Sequence, residues 1–195
     1  MSKRIFAIFL ILIFVCSCVE TVVVGTVAGG VIITKDNNKT ETISNNNNTS
    51  KDEKETKKSI KKALKNDNGN AYRNVNIIIF DGRILLSGYV KYEKYKKSAV
   101  SITTASQPNN EIIDEIIVLH PTKKISGLND YFISQNISIR LKKIKDIKKS
   151  DYKYNVINSV AIIIGKVQTK KQMEEITDTI STTRGVEKVI SYIQF

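Results

Sequence analysis

Apolar residues recur along this chain with two different periods, and the same order of periods occurs twice. Val75, Ile77 and Ile79 fall at every second position, Asp81-Gly82 supplies turn residues, and Ile84, Leu86 and Tyr89-Val90 follow. A spacing of two marks strands, and an Asp-Gly pair between them marks a hairpin. A helix is expected from about Tyr92 to Ser106 and a strand from Glu111 to Leu119. Ahead of them, Ser50-Lys51-Asp52-Glu53 has the form of a capping box, which predicts a helix to about Asn66 with a thin apolar face of Ile60, Ala63 and Leu64. Such a helix needs docking onto a sheet for its stability.

The second half of the chain repeats the scheme at a constant offset of 77 residues. Asn129 or Asp130 is expected to cap a helix reaching about Ile147, and Ile133, Ile137, Leu141 and Ile144 form its core stripe. Strands follow over Tyr152 to Ile157 and Val160 to Val167, with Asn158-Ser159 in the place of Asp81-Gly82. Thr169 with Gln172 forms another capping box, opening a helix with Met173, Ile176 and Ile180 at core spacing, and Val186 to Ile193 is the last strand. Gly88-Tyr89-Val90 and Gly165-Lys166-Val167 occupy the same place in the two copies, and the glycines are expected to mark the same backbone turn. Each copy therefore reads helix, strand, strand, helix, strand. The fold class is α+β: two tandem modules, each a three-stranded mixed sheet with two helices on one face and the other face free to meet its twin.

The N-terminus carries a different signal. Lys3 and Arg4 precede an unbroken apolar run from Ile5 to Val15, too short to span a bilayer, and Val15-Cys16-Ser17-Cys18 follows. Residues 1–17 read as a secretory signal. The tetrapeptide resembles a bacterial lipobox, with Cys18 at the acylated position and Ser17 at the small one, and with Cys16 as its departure. A free thiol at Cys18 is the other reading. The chain has no further cysteine, so no disulfide framework supports the modules. Val19 rather than Asp after the cysteine implies, by the sorting rule of such lipoproteins, a lipid-anchored protein of the outer membrane facing the periplasm. Residues 18–50 are expected to hold the lipid anchor, a Val/Gly-rich stretch over 22–33 that either lies on the membrane or acts as a tether, and a flexible Asn/Thr/Ser/Lys-rich linker. The modules are expected at 51–120 and 128–195.

The order of elements, the Gly-x-Val after the second strand, and Gly185-Val186-x-x-Val189 before the last strand resemble the BON domain of bacterial osmotically inducible periplasmic proteins. In the first copy Pro108-Asn109-Asn110 stands where Gly185-Val186 does in the second, a divergence from that pattern. The resemblance implies a non-catalytic protein, without cofactor, that binds phospholipid and maintains the outer-membrane barrier.

Charge and apolar exposure narrow this expectation. The formal net charge is +12, which either suits an anionic partner or reflects Lys- and Asn-rich composition alone. Phe132 and Ile139, seven residues apart, share a helix face away from the core stripe, and Arg140 and Lys143 lie near them. Glu55 and Lys62 hold the equivalent positions in the first copy. Phe132, Ile139, Arg140 and Lys143 are therefore the expected contacts to an anionic phospholipid surface, unless Phe132 packs on the other module or under the linker. The resemblance implies the same role for Phe132, through Asn129-Asp130-Tyr131-Phe132-Ile133. The alternative function is a periplasmic scaffold binding envelope proteins or peptidoglycan; export separates the chain from nucleic acid. His120 is the sole histidine, with no cysteine beside it for a metal site, and Glu111, Asp114 and Glu115 read as solvated sheet-edge carboxylates. No metal or catalytic role is expected.

Overall fold

A computed structural model describes residues 45–119 and 125–195. Cys18, the Val/Gly-rich stretch and His120 lie outside them. Each half forms an α+β module in the expected order. The first comprises α1 (Asn45–Asn68), β1 (Val75–Phe80), β2 (Arg83–Val90), α2 (Glu93–Ser106) and β3 (Glu111–Val118). The second comprises α3 (Gly127–Leu141), β4 (Tyr152–Ile157), β5 (Val160–Lys166), α4 (Lys170–Ser181) and β6 (Lys188–Gln194). In both sheets the second strand is central, antiparallel to the first and parallel to the third. The hairpin turns hold Asp81, Gly82, Asn158 and Ser159 all at positive φ, a backbone that Gly, Asp and Asn tolerate best and that Ser159 adopts without that preference.

Strand alternation divides the apolar residues between two destinations. Ile77, Ile79, Ile84 and Leu86 pack under α1 and α2, while Val156, Ala161 and Ile163 pack under α3 and α4. The alternate residues Ile78, Phe80, Leu85, Ile113, Ile162 and Ile164 meet in a third core where the two sheets face each other. Polar contacts cross the same boundary. Arg83, 8% exposed, donates through Nη2 to the Gly165 and Tyr192 carbonyls at 3.2 and 2.9 Å. Lys153 Nζ reaches Glu53 and the Ile79 carbonyl, and Asn155 Nδ2 donates to Ser87 Oγ.

Tyr192 donates its hydroxyl to Glu115 at 2.5 Å, joining the same repeat position of the two copies. Burial first, and then Glu115, push the phenol up from the ordinary 10 to about 12. The folded state thus favours the protonated phenol. This stabilisation is complete below pH 10 and is lost as pH rises from 10 through about 12. Alkaline unfolding followed by circular dichroism is expected to begin later in pH for Tyr192→Phe than for the wild type; superimposable curves would show that this contact carries none of the alkaline sensitivity.

Several expectations change. Helix α1 begins at Asn45, ahead of the Ser50 cap, so the last part of the expected linker is helical. Once Ile60 and Leu64 dock, each further residue adds to an existing helix, and Glu53 is fixed from outside by Lys153. Helix α3 is capped by Ser126, whose side chain accepts from the Asn129 amide, and it ends at Leu141 rather than near Ile147. Asp130 is not the cap because its carboxylate accepts from the amides of Asn158 and Ser159 at 2.8 and 2.9 Å, tying α3 to the β4–β5 turn.

Gly88 and Gly165 lie within strands and serve close approach rather than a turn. A Cβ on Gly165 would stand 2.5 Å from the Asp151 carbonyl oxygen, and one on Gly88 would overlap that of Asn74. Asp114 and Glu115 are half-buried and partnered, Asp114 by Lys96 at 3.4 Å and by the Ile116 amide; of the three edge carboxylates only Glu111 is exposed.

Candidate functional site

Helix α3 presents two apolar stripes on opposite sides. Ile133, Ile137 and Leu141 are buried in the second module's core, and Ile144 continues that core just beyond the helix. At about 100° per residue, Leu128, Tyr131, Phe132 and Ile139 share an arc opposite this stripe. They are 68%, 58%, 57% and 54% exposed, so Phe132 packs neither on the first module nor elsewhere among the described residues. The Tyr131 and Phe132 rings meet edge to face with centroids 5.8 Å apart, which makes them one aromatic unit at the start of the helix.

Phe132 and Ile139 are thus brought together on one face. Lys142 closes the helix at the end of this stripe, and Lys143 follows it, both exposed. Lys145, Lys148 and Lys149 continue the exposed cationic run, and among the described residues none of these five lysines is held in an ion pair. Arg140 is placed differently. It lies about 100° around the helix from the stripe, and its guanidinium donates to the carbonyl and hydroxyl of Thr182, at the end of α4, at 2.5 and 2.8 Å.

Leu128 and Tyr131 did not emerge from the sequence pattern. With the helix expected to begin at Asn129 or Asp130, Leu128 fell outside it and the i, i+3, i+4 relation of Leu128, Tyr131 and Phe132 was hidden. A start one turn earlier, at the Ser126 cap, would have revealed it. At the equivalent positions of α1 stand Lys51, Lys54, Glu55 and Lys62, all exposed, so the stripe is peculiar to the second module.

Among the described residues no three His, Cys, Asp or Glu side chains cluster to hold a metal, and no helix is long and apolar enough to cross a membrane.

Comparison with known proteins places this geometry in a family. The profile of the BON domain matches residues 52–119 and again 129–195. An Anaplasma centrale protein described as "Uncharacterized protein in gshII 5'region" is 24% identical over 124 residues, covering 63% of this chain and 82% of that protein. Outer membrane lipoprotein DolP of Haemophilus influenzae is 25% identical over 121 residues, so the match spans 62% of each chain. Among solved structures, the C-terminal domain of CdsD, the structural protein of the Type III secretion system of Chlamydia trachomatis, is 11% identical over 64% of this chain and 58% of that one. Its TM-score of 0.30 is too low to carry an argument. With two matched copies of the profile covering more than half of its length, in two αββαβ modules, the chain belongs to the BON-domain family.

Proposed function

We propose that this chain is a non-catalytic envelope lipoprotein, anchored through Cys18 in the outer membrane, whose second module binds anionic phospholipid from the periplasmic side. The BON domains and the similarity to an outer membrane lipoprotein suggest the envelope association. The observation that carries the lipid reading is the exposed Leu128, Tyr131, Phe132 and Ile139 stripe ending in lysines that are unpaired among the described residues.

In this reading the aromatic and aliphatic side chains enter the headgroup region while Lys142 and Lys143 remain at its surface. Each apolar side chain, already about half covered, contributes on the order of 1 kcal/mol on insertion. Each lysine near an anionic surface contributes about 1 kcal/mol, screened within a Debye length. Arg140 adds charge from the flank while holding α3 against α4.

The test is flotation of the chain with protein-free vesicles containing phosphatidylglycerol, using protein whose Cys18 is replaced by Ala so that acylation does not mask the weaker contact. Binding should fall with rising salt, and Phe132→Ala with Ile139→Ala should weaken partitioning roughly tenfold, about 1.4 kcal/mol, without altering the circular dichroism spectrum. Equal binding by the folded double variant would sink the proposal.

The scaffold reading rests on one specific feature. Among the described residues strand β3 pairs only with β2 and exposes Ile117 and Val118, leaving an edge to which another chain could add. Vesicle binding in the absence of any other protein separates the two.

A further inference from the structure

Among the described residues, the first module contains a cavity of about 650 Å³ lined by the end of α1, the connection from α1 to β1, the end of β2, the first turn of α2 and Leu119 just after β3. Tyr89, Tyr92 and Tyr95 line it, and Tyr92 is 56% exposed, with its ring centroid 6.0 Å from that of Tyr95. Arg73 and Lys91 supply two cations at its wall, and neither is in an ion pair among the described residues. Asp67, the carboxylate on the adjoining end of α1, accepts instead from Tyr72 at 2.6 Å. Asn70 and Asn74 add side-chain amides, which both donate and accept.

The second module provides an internal control. Thr169 and Gln172 there hold the positions of Tyr92 and Tyr95. Thr169 accepts from the Gln172 amide, while the Gln172 side chain accepts from the amides of Gln168 and Thr169 and donates to the Asp146 carbonyl. The protein thus fills this place in one module with its own capping network. In the other, Tyr92 makes no side-chain cap, which forgoes about 1 kcal/mol of helix stability, and among the described residues rings and cations surround an unfilled space.

We propose that this cavity is a binding site for an acidic sugar, a pyranose ring bearing a phosphate or carboxylate. The ring's C–H faces would pack on Tyr92 and Tyr89, its hydroxyls would exchange hydrogen bonds with Asn70 and Asn74, and its anionic group would lie between Arg73 and Lys91. Arg73 and Lys91 are both exposed, and their charge favours an anionic ligand over a neutral sugar. The asparagines and tyrosine rings favour a sugar over a bare anion, which would use neither. The volume suits one or two sugar rings. This site is independent of the α3 surface and stands whether or not that surface binds lipid.

The test is titration of the full chain with glucose 6-phosphate and with glucuronate, followed by the NMR signals of Tyr89, Tyr92 and Tyr95, against glucose and inorganic phosphate as controls. Saturable shifts at these tyrosines with at least one acidic sugar, at least tenfold tighter than with either control, are expected. Tyr92→Thr, which restores the cap residue of the sister module, and Arg73→Gln should each weaken binding at least tenfold. Both positions are exposed, and Tyr92→Thr should leave the thermal midpoint unchanged or raised. Absence of saturable shifts with both acidic sugars, binding of inorganic phosphate equal to theirs, or wild-type affinity in both folded variants would overturn the assignment.

Discussion

Gly88→Ala is expected to abolish folding of the first module. Gly88 sits in the central strand at φ 118°, a conformation strained for any residue with a Cβ, and the added carbon would overlap the Asn74 carbonyl oxygen where the chain enters β1. Backbone surrounds the site, with the Asn74 carbonyl carbon and Val75 Cα at 3.0 and 3.1 Å, so no side-chain rotation relieves the clash. Backbone strain of about 1–3 kcal/mol adds to a steric cost of several more, against a total stability of about 5–15 kcal/mol for a domain. Gly165→Ala meets the Asp151 oxygen at 2.5 Å without the positive φ, so it should cost less, about 2–4 kcal/mol. Urea denaturation followed by circular dichroism reads both. A wild-type midpoint for Gly88→Ala would show that the start of β1 can move aside, contrary to the pairing of Val75 with Gly88.

The second large effect is expected at the boundary between modules. Arg83→Ala should destabilise the folded chain by about 2–3 kcal/mol, because it removes a charged donor from the Gly165 and Tyr192 carbonyls and opens a void beside the shared core. The guanidinium is costly to bury: its Nε has no partner. Arg83→Met, which keeps an apolar stem of similar length and removes the buried charge, should therefore lose less than about 1 kcal/mol. Calorimetry distinguishes a further consequence. The wild type is expected to unfold in one transition, since the third core joins the sheets, and Arg83→Ala should broaden or split it. An unchanged transition would mean that the apolar contacts of Ile78, Phe80, Leu85, Ile162 and Ile164 hold the modules together without Arg83.

These two positions illustrate what was legible in advance. Gly88 and Gly165 were visible as a repeated Gly-x-Val, but sequence spacing suggested a turn, because a close approach depends on where another strand begins. Arg83 gave no signal at all: Val160 holds its place in the second copy, and a charged residue after a hairpin turn ordinarily points to solvent. On α3, Phe132 and Ile139 could be separated from the core stripe by helical period alone, whereas Leu128 and Tyr131 required the helix start. That start was misplaced because Asp130, a good cap by residue type, is drawn to the amides of Asn158 and Ser159. The tyrosine-lined cavity was likewise hidden, since its walls come from segments far apart in the chain.

The sequence by itself determined the duplication, the order and period of the elements, both hairpin turns, the Thr169–Gln172 cap and the core stripe of α3. These depend on local conformational preference and on alternation between apolar and polar positions, which neighbouring residues carry in full. Only the tertiary structure decided that the sheets bury their second faces against each other, that Glu115 meets Tyr192, that Arg140 turns to Thr182, and that among the described residues a tyrosine-lined cavity stands where the twin has the Thr169–Gln172 network. Those outcomes depend on contacts between residues far apart in the chain, whose free energies are set by burial and by the partner each polar group finds.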